Sequence, residues 1–339
     1  MSITKKEVFE ESNNIQKIYQ LRNEILSLFR GIDFSKYDEI LFVGCGSSYH
    51  LAKAAERFFV RTLKKPSKAI VGSEVLYSSD AVLIEGRKYL SFVLSRSGES
   101  TETVKAAEVL KKKYNSYIIG VSCEKDSSLL KLSDSKIHIP LNEEAVVMTG
   151  SFSSTLMILN ALALEVSGES SEVIKEIVEK AQDILEQSKE LFEKLRLTDY
   201  NNYVFLGFGE YYGIAKESSL KLQEMTISHT EAFPTLDYRH GPKSLVDEKS
   251  LITINLTKEG YEEEMKLVKE LEGYGGTVIT IGEKEGSKYH ISLGYEMPFD
   301  GMDSFIRVLP IHIMGLKLAE LKGVDVDKPR NLSKVVIID

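Results

Sequence analysis

The chain has 339 residues, 42% hydrophobic and 28% charged, which is enough apolar material for the cores of two domains. A net charge of −8 without a basic cluster argues against nucleic acid as a partner. The N-terminus lacks the apolar core of a signal peptide, and no apolar run reaches the roughly 18 residues of a membrane span. Its two cysteines, Cys45 and Cys123, fit a reducing compartment, so the sequence predicts a cytoplasmic protein without membrane partners.

Helical spacing of apolar residues predicts a helix over 15–29, inside an N-terminal segment of residues 1–35. The stretch "ILFVGCGSSYHLAKAAE" (40–56) then reads as a buried strand, a glycine turn and a helix. The same alternation of strand and helix continues at 89–95, 100–114 and 116–122. This order predicts a parallel sheet covered by helices, in a first domain over 36–168.

The first strand and turn are repeated later in the chain. "YVFLGFGEYYGIAKESS" (203–219) matches the earlier stretch at a constant offset of 163 residues, at the pairs Gly44/Gly207, Gly46/Gly209, Tyr49/Tyr212, Ala52/Ala215 and Lys53/Lys216. Strand-like runs at 251–256 and 277–282, with a helical stretch at 262–274, follow it. We therefore predict an internal duplication, with a second domain over 198–323. A connecting helix over 170–197 (segment 169–197) and an extended tail over 324–339 complete the predicted organisation.

The first glycine turn, residues 45–48, is not a nucleotide loop. Tyr49 stands where a dinucleotide fingerprint needs a third glycine, and the Gly-Lys-Ser/Thr of a P-loop is absent. What remains is a pair of hydroxyls, Ser47 and Ser48, at the start of a helix, where free backbone N–H groups favour an anion. The alternative is that both serines only cap the helix.

A second hydroxyl-rich turn, "LSRSGESTETVKAAE" (94–108), also ends a strand and opens a helix. Adjacent parallel strands deliver such turns to the same sheet edge, so we expect the two turns to hold one phosphate together. In the repeat, Glu210 and Tyr211 replace the two serines, and a carboxylate repels phosphate, so only the first domain is expected to bind it. The predicted phosphate ligands are Cys45, Gly46, Ser47, Ser48, Ser95, Arg96, Ser97, Ser100 and Thr101.

"GCGSSY", "SRSGESTET" and the duplication resemble the sugar isomerase (SIS) family. The resemblance extends to "ESSLKLQEMTISHTEAF" (217–233), "RHGPKSLVD" (239–247) and "KPRNLSK" (328–334). Within the family, the chain is most similar to the isomerase half of glucosamine-6-phosphate synthase and to single-chain amino-sugar-6-phosphate deaminases and isomerases. The resemblance implies an α/β fold of two tandem doubly wound parallel-sheet SIS domains with a sugar phosphate as substrate.

The resemblance also assigns candidate catalytic residues on the helix after Gly213. Glu217, Lys221 and Glu224 lie at spacings of four and three and share one face. From spacing alone, a surface ladder of ion pairs is the preferred interpretation. In the family, the second glutamate moves a proton between C1 and C2 of the sugar, which implies that Glu224 is the base and Lys221 its electrostatic partner.

Two further residues match family motifs. His240 corresponds to a histidine that opens the sugar ring and that reaches the site from the neighbouring subunit, which implies a homodimer. Lys334 corresponds to a tail lysine that meets the open-chain sugar and forms an imine; alternatively, it is a solvated tail residue. No histidine spacing indicates a metal site, and no cofactor is expected.

The chain departs from the synthase pattern at Arg96, where the synthase has glutamine, and at 148–150. No glutaminase domain or N-terminal cysteine is expected, because the chain opens with Met-Ser. The predicted function is therefore conversion of glucosamine 6-phosphate to fructose 6-phosphate and ammonia. The alternatives are ammonia-dependent synthesis, galactosamine- or tagatose-6-phosphate deamination or isomerisation, fructosamine-6-phosphate deglycation, and a non-catalytic sugar-phosphate sensor. About 35 residues before the first strand are too few for the DNA-binding module that such sensors carry.

Overall fold

A computed structural model of the protein describes residues 2–27, 29 and 31–338. Two five-stranded sheets, parallel throughout, form its framework, because the continuous apolar runs can be buried on both faces. The first contains β1 (Glu39–Gly44), β2 (Ser67–Val71), β3 (Tyr89–Leu94), β4 (Tyr117–Ser122) and β5 (Ser135–His138). The second contains β6 (Asn202–Gly207), β7 (Thr230–Phe233), β8 (Ser250–Asn255), β9 (Thr277–Gly282) and β10 (Tyr289–Ser292).

The strand orders show the duplication directly. The first sheet runs β2-β1-β3-β4-β5, and the second, read from its β7 edge, runs β7-β6-β8-β9-β10. Each strand of one sheet thus has a counterpart at the same place in the other. This topology confirms the predicted fold class of two tandem α/β domains.

Helices alternate with the strands as the sequence predicts, and they begin with α1 (Ile3–Phe9) and α2 (Glu11–Ser27). Those that accompany the first sheet are α3 (Ser47–Leu63), α4 (Gly72–Tyr77), α5 (Ser79–Val82), α6 (Thr101–Tyr114), α7 (Ser128–Leu132) and α8 (Gly150–Ser167). The remainder are α9 (Lys175–Glu179), α10 (Ala181–Lys194), α11 (Glu210–Thr226), α12 (Tyr261–Gly273) and α13 (Leu309–Lys322).

The prediction of one continuous helix over 170–197 is wrong. A short 3-10 helix at Ser171–Ile174 is followed by α9 and α10, which are separated by Lys180. The Lys180 backbone N–H shares its bond between the α-helical acceptor, the Glu176 carbonyl at 3.1 Å, and the 3-10 acceptor, the Ile177 carbonyl at 3.2 Å, so the hydrogen bonding is mixed at this point.

Each sheet has its own apolar core. Around the first, Phe42 and Phe92 stack with their centroids 5.1 Å apart, and Phe59 from α3 meets Phe42 edge-on at 4.8 Å. Around the second, fully buried Ile252 on β8 and Leu267 on α12 belong to one cluster. These apolar contacts hold each sheet and its helices as a rigid support for the loops at the sheet edge.

The chain divides into two compact units, one for each sheet, and each unit combines three separate stretches. The first unit comprises Asn13–Glu143, Gly150–Val173 and Ser333–Asp339, and the second comprises Met1–Ser12, Glu144–Thr149 and Ile174–Leu332. Within the second unit, the Asp327 carboxylate accepts hydrogen bonds of 2.8 Å from the backbone N–H groups of both Ile3 and Thr4. Residues more than 300 positions apart in sequence are thereby joined.

In the described part of the chain, no helix combines the length and apolar composition that a membrane crossing requires. Nor do the described residues contain a cluster of three or more histidine, cysteine or acidic side chains suited to holding a metal ion.

Candidate active site

The two hydroxyl-rich turns lie at one place in the first unit. β1 and β3 are hydrogen-bonded neighbours, so the turns that follow them leave the same carboxyl edge side by side. In a sheet of this strand order, the chain reverses its winding direction between these two strands, and ligands of open α/β sheets bind at such a switch point. Gly46, with φ 55°, turns the chain into α3 in a conformation that few other residues adopt.

The hydroxyls of these turns do not cap the helices. Neither Gly46 before α3 nor Ser100 before α6 makes a side-chain capping bond. Among the described residues, the hydroxyls of Ser47, Ser48 and Ser100 have no hydrogen-bond partner, so their protons are available to an acceptor. The interpretation of Ser47 and Ser48 as mere caps therefore does not hold.

Two more serines shape the second turn. The Ser95 hydroxyl accepts from the Gly98 N–H at 3.0 Å, and the Ser97 hydroxyl accepts from the Glu99 N–H at 3.2 Å. A serine oxygen that accepts a bond can still donate its own proton, so both hydroxyls remain suited to an anionic ligand.

The remaining predicted ligands at these turns have partners within the protein. The Cys45 sulfur lies 3.7 Å from the Thr103 hydroxyl, and burial raises the pKa of its thiol, so Cys45 carries no charge at neutral pH. The Thr101 N–H donates to the Val336 carbonyl at 3.2 Å, and its hydroxyl accepts from the Ile338 N–H at 3.2 Å. The C-terminal tail is thus hydrogen-bonded to Thr101, the first residue of α6.

Arg96 pairs with a residue that the sequence did not single out. Its guanidinium donates to the Glu143 carboxylate at 2.9 Å, and the Ser151 hydroxyl donates to the same oxygen at 2.6 Å. Burial alone would raise the pKa of Glu143, but the Arg96 charge and the bonds from Ser151 outweigh it and lower that pKa. Glu143 is therefore an ionised buried carboxylate that neutralises Arg96.

Lys334 joins the same cluster. Its ammonium donates to the backbone carbonyl of Glu143, so the tail lysine and Arg96 are both held by one residue. Arg96 and Lys334 thus place two positively charged side chains beside Glu143. No sequence signal marks Glu143, because it lies next to Glu144 in a loop without a motif and its partner is 47 residues away.

The second unit contains the predicted catalytic helix, α11. Its Lys221 side chain is 1% exposed and lies 3.5 Å from the Glu217 carboxylate, which is fully buried. Lys221 also forms an ion pair with Glu224, whose side chain is 17% exposed. The ladder is therefore internal and not a surface feature, and Glu224 is the member with access to a ligand.

His240 lies in an irregular segment of the second unit, between short 3-10 helices at Asp237–Arg239 and Pro242–Leu245. Gly241 follows it with φ 131°, a conformation that disfavours any side chain. The imidazole is exposed and makes no hydrogen bond to any other described residue. The structure thus pairs Glu224 with Lys221 but gives neither a hydrogen bond to His240.

The corresponding turn of the second unit is filled by its own side chains. Tyr211, fully buried, donates its hydroxyl proton to Asp303 at 2.6 Å and accepts from Arg307 at 3.0 Å. Arg307 also donates to the carbonyls that follow β8 and end β9, at Leu256 and Ile281. Glu210 is only 2% exposed, so this turn presents no hydroxyl-lined opening like the one in the first unit.

A tandem pair of parallel sheets with a hydroxyl-lined turn in the first matches a known family. The model of the SIS domain matches residues 33–165 and 196–290, one stretch for each sheet, and the chain belongs to this family. The chain is similar over its whole length to a solved glucosamine-6-phosphate deaminase from Thermotoga maritima. The two are 37% identical with a TM-score of 0.85, and the match covers 99% of this chain and 100% of that one.

The chain is also similar to larger proteins. It is 29% identical to the isomerizing glutamine–fructose-6-phosphate aminotransferase of Aquifex aeolicus, over 98% of this chain and 57% of that protein. For the protein of the same name from Caldanaerobacter subterraneus, the identity is 28%, over 91% of this chain and 53% of that protein. The chain thus spans about half the length of these curated relatives. Together, the comparisons support an enzyme of the sugar-phosphate isomerase or deaminase kind.

Proposed function

We propose that the protein converts glucosamine 6-phosphate and water to fructose 6-phosphate and ammonia, in the cytoplasm. The observation that carries this proposal is the Lys221–Glu224 pair, in a chain similar from end to end to a glucosamine-6-phosphate deaminase. The pair places a partly exposed carboxylate, the kind of group that serves as a general base, next to a buried lysine that holds it in position.

In the proposed reaction, Glu224 removes the proton from C2 of the open-chain amino sugar. The electron pair of that C–H bond forms a C1–C2 double bond, and the aldehyde oxygen takes up a proton to become an enol. Glu224 then returns its proton to C1, which leaves a hydroxymethyl group at C1 and a protonated imine at C2. The proton that the aldehyde oxygen took from solvent is returned to solvent when the imine is hydrolysed. Water adds to the imine carbon and ammonia departs, which gives the ketose phosphate.

The hydroxyl turns of the first unit are proposed to hold the phosphate. Hydroxyls that have no partner among the described residues supply donors at the starts of two helices, and Arg96 and Lys334 beside Glu143 supply positive charge. We assign Lys334 to the open-chain sugar, since its ammonium belongs to this cluster. No metal ion or cofactor has a role in this proposal.

Ammonia release across a panel of sugar phosphates tests the proposal. The panel contains glucosamine, galactosamine and fructosamine 6-phosphates, with tagatose 6-phosphate as an isomerisation substrate. Glucosamine 6-phosphate should give the highest kcat/KM and equimolar fructose 6-phosphate and ammonia. A higher kcat/KM with another member of the panel would identify that sugar phosphate as the preferred substrate. Binding of the sugars without any turnover would instead support a sensor.

We further propose a homodimer in which His240 opens the sugar ring in the site of the neighbouring subunit. Its exposed imidazole, without a partner in the described residues, is compatible with that role. Mixing inactive Glu224→Gln and His240→Ala proteins should then restore activity, because about a quarter of all sites in a random mixture would carry both native residues. A mixture that stays inactive after confirmed subunit exchange would refute the shared site.

A further inference from the structure

The segment that carries His240 is anchored at its start by Tyr238, which is 1% exposed, and has few other internal restraints. Two 3-10 helices of three and four residues flank His240, and its backbone N–H donates to the Asp237 carbonyl at 2.9 Å. Leu245, at the end of the segment, is 62% exposed and so contributes little packing. Short 3-10 turns are weakly bonded, so the position of His240 must depend on contacts made by its neighbours.

Those contacts converge on one carboxylate of helix α12. The Glu270 carboxylate accepts from the Arg239 guanidinium at 3.0 Å through one oxygen, and from the Lys243 ammonium through the other. The Tyr274 hydroxyl donates to that second oxygen at 3.1 Å. Arg239 immediately precedes His240, and Lys243 follows it by three residues, so both sides of the histidine are attached to Glu270.

The anchor itself is rigid. Glu270 lies on α12 between Leu267 and Leu271, which are fully buried against the second sheet. A side chain on such a helix is held more precisely than one on a loop, and it transmits that position to what it binds.

A single ion pair at a surface contributes little to stability, but this is a network and it is partly buried. The side chains of Arg239, Lys243 and Glu270 are 25%, 31% and 25% exposed. Hydrogen bonds, first from Lys243 and then from Arg239, lower the pKa of Glu270, so its charge is maintained at neutral pH. One carboxylate shared by two cations therefore restrains both ends of the segment at once.

We propose that Glu270 is a positioning residue that holds the His240 segment (residues 237–245) in the geometry required for ring opening. This inference rests on the proposed role of His240. Glu270 itself touches neither substrate nor reacting atoms in this scheme. Glu263 also lies 3.7 Å from Arg239, but its shorter bond of 2.6 Å goes to Lys266, so Glu270 is the principal anchor.

The test compares Glu270→Gln with Glu272→Gln, a matched control that removes the same charge from an exposed position of the same helix. Amide hydrogen exchange of residues 237–245 is measured first. Exchange should increase about tenfold in Glu270→Gln, since the restraint is lost, and should not change in the control. Unchanged exchange in Glu270→Gln would overturn the restraint, whatever the enzyme's activity.

Kinetics then separate positioning from the proposed function. With glucosamine 6-phosphate, Glu270→Gln should lower kcat about three- to tenfold with little change in KM, because a partly buried ionic network contributes on this order. A 4,5-dideoxy analogue, which lacks the hydroxyls that close the pyranose and furanose rings, should be turned over by Glu270→Gln at the same rate as by the wild-type protein. Increased exchange with equal losses on both substrates would overturn ring opening as the role of His240, while the restraint itself would stand.

Salt provides a readout that a purely structural defect would not move. Because ions screen the network, added sodium chloride should lower the wild-type kcat on the cyclic substrate, measured at saturating concentration, towards that of Glu270→Gln, and should change the kcat of the variant less. Equal salt dependence in both proteins would overturn the ionic basis of the restraint.

Discussion

The turns after β1 and β6 have the same backbone conformation but different side chains. Gly46 has φ 55° and ψ −128°, and Gly209 has φ 50° and ψ −118°, so the duplicated turn has kept its conformation. In the first unit the turn is followed by serines whose hydroxyls are unpartnered among the described residues. In the second, Glu210 and Tyr211 are buried. Two side chains thus suffice to change the contents of a turn whose backbone conformation is the same in both units.

The charged groups beside these turns also differ, because those of the first unit are more exposed than those of the second. Arg96 and Glu143 in the first unit retain 10% and 5% exposure, whereas Arg307 and Asp303 in the second retain 1% and 0%. In the second unit, Arg307 donates hydrogen bonds to Asp303, Tyr211 and two backbone carbonyls. The second unit fills the carboxyl edge of its sheet with a buried ion-pair network, whereas the corresponding edge of the first unit, where we propose that phosphate binds, retains more exposed charged groups.

The largest expected effect tests whether chemistry resides in the second unit. Glu224→Gln keeps the shape of the side chain but cannot accept the C2 proton, so kcat should fall by about 10²–10⁴. KM should change little, because the phosphate ligands are intact. Glu231→Gln, an exposed glutamate on β7, is the control for ammonia release under the same conditions. A wild-type rate in Glu224→Gln would remove Glu224 as the base.

The second prediction concerns the buried Arg307–Asp303 ion pair at the sheet edge of the second unit. Arg307→Met leaves the buried Asp303 carboxylate uncompensated, which should lower the free energy of unfolding by about 3–5 kcal/mol. Urea unfolding followed by circular dichroism measures this change. Arg196→Met removes an arginine whose side chain is 86% exposed and should change that free energy by less than about 0.5 kcal/mol. Similar values for both variants would show that the network does not stabilise this unit.

The third prediction uses pH. Burial raises the pKa of Glu264 from 4.5 to about 7, because one of its oxygens has no partner among the described residues. Between these values the unfolded chain has lost a proton that the folded protein keeps, so stability should decline as pH rises, by roughly 2–3 kcal/mol in total.

Glu264→Gln stays neutral and should abolish this decline in unfolding curves recorded from pH 4.5 to 7.5. Glu262→Gln, at an exposed position of α12, should retain it. Glu143 in the first unit has a lowered pKa, so its contribution has the opposite sign and is lost as pH falls below 4.5. A decline that persists in Glu264→Gln would assign it to another group.

The smallest expected effect compares the hydroxyl-rich turns of the first unit with the turn after β6 in the second unit. Ser97→Ala and Ser48→Ala should each raise KM for the sugar phosphate, since each removes a hydrogen bond to a charged group, worth about 1.5–3 kcal/mol. Glu210→Gln, the corresponding change in the second unit, should leave KM unaltered. Steady-state kinetics on all three variants would contradict the assignment if neither serine variant differed from wild type.

Local patterns predicted most of the fold. The apolar runs predicted at 89–95 and 116–122 are β3 and β4, because strands buried on both faces are marked by their own composition. The edge strands β5 and β10 were not predicted. The former, "SKIH", is short and largely polar, and its strand conformation depends on its pairing with β4.

The site was predictable only where a motif carries it. Lys221 and Glu224 were found by resemblance, but their burial overturns the interpretation that spacing alone favoured. Glu143 and Glu270 were missed because each acts on residues distant in sequence, Arg96 in one case and Lys243 in the other. No periodicity encodes a tertiary ion pair between loops or between a loop and a helix.

The bond between α1 and Asp327 has a consequence for how the protein is made. Helix α1 is synthesised more than 300 residues before its hydrogen-bonding partner. At roughly 5–20 residues per second, α1 waits for tens of seconds before it can dock. Ile3 and Phe9, still 45% and 37% exposed in the finished fold, are then accessible to chaperones. The stretches around the first sheet can meanwhile pack locally, so the two copies of one ancestral fold are expected to mature in sequence.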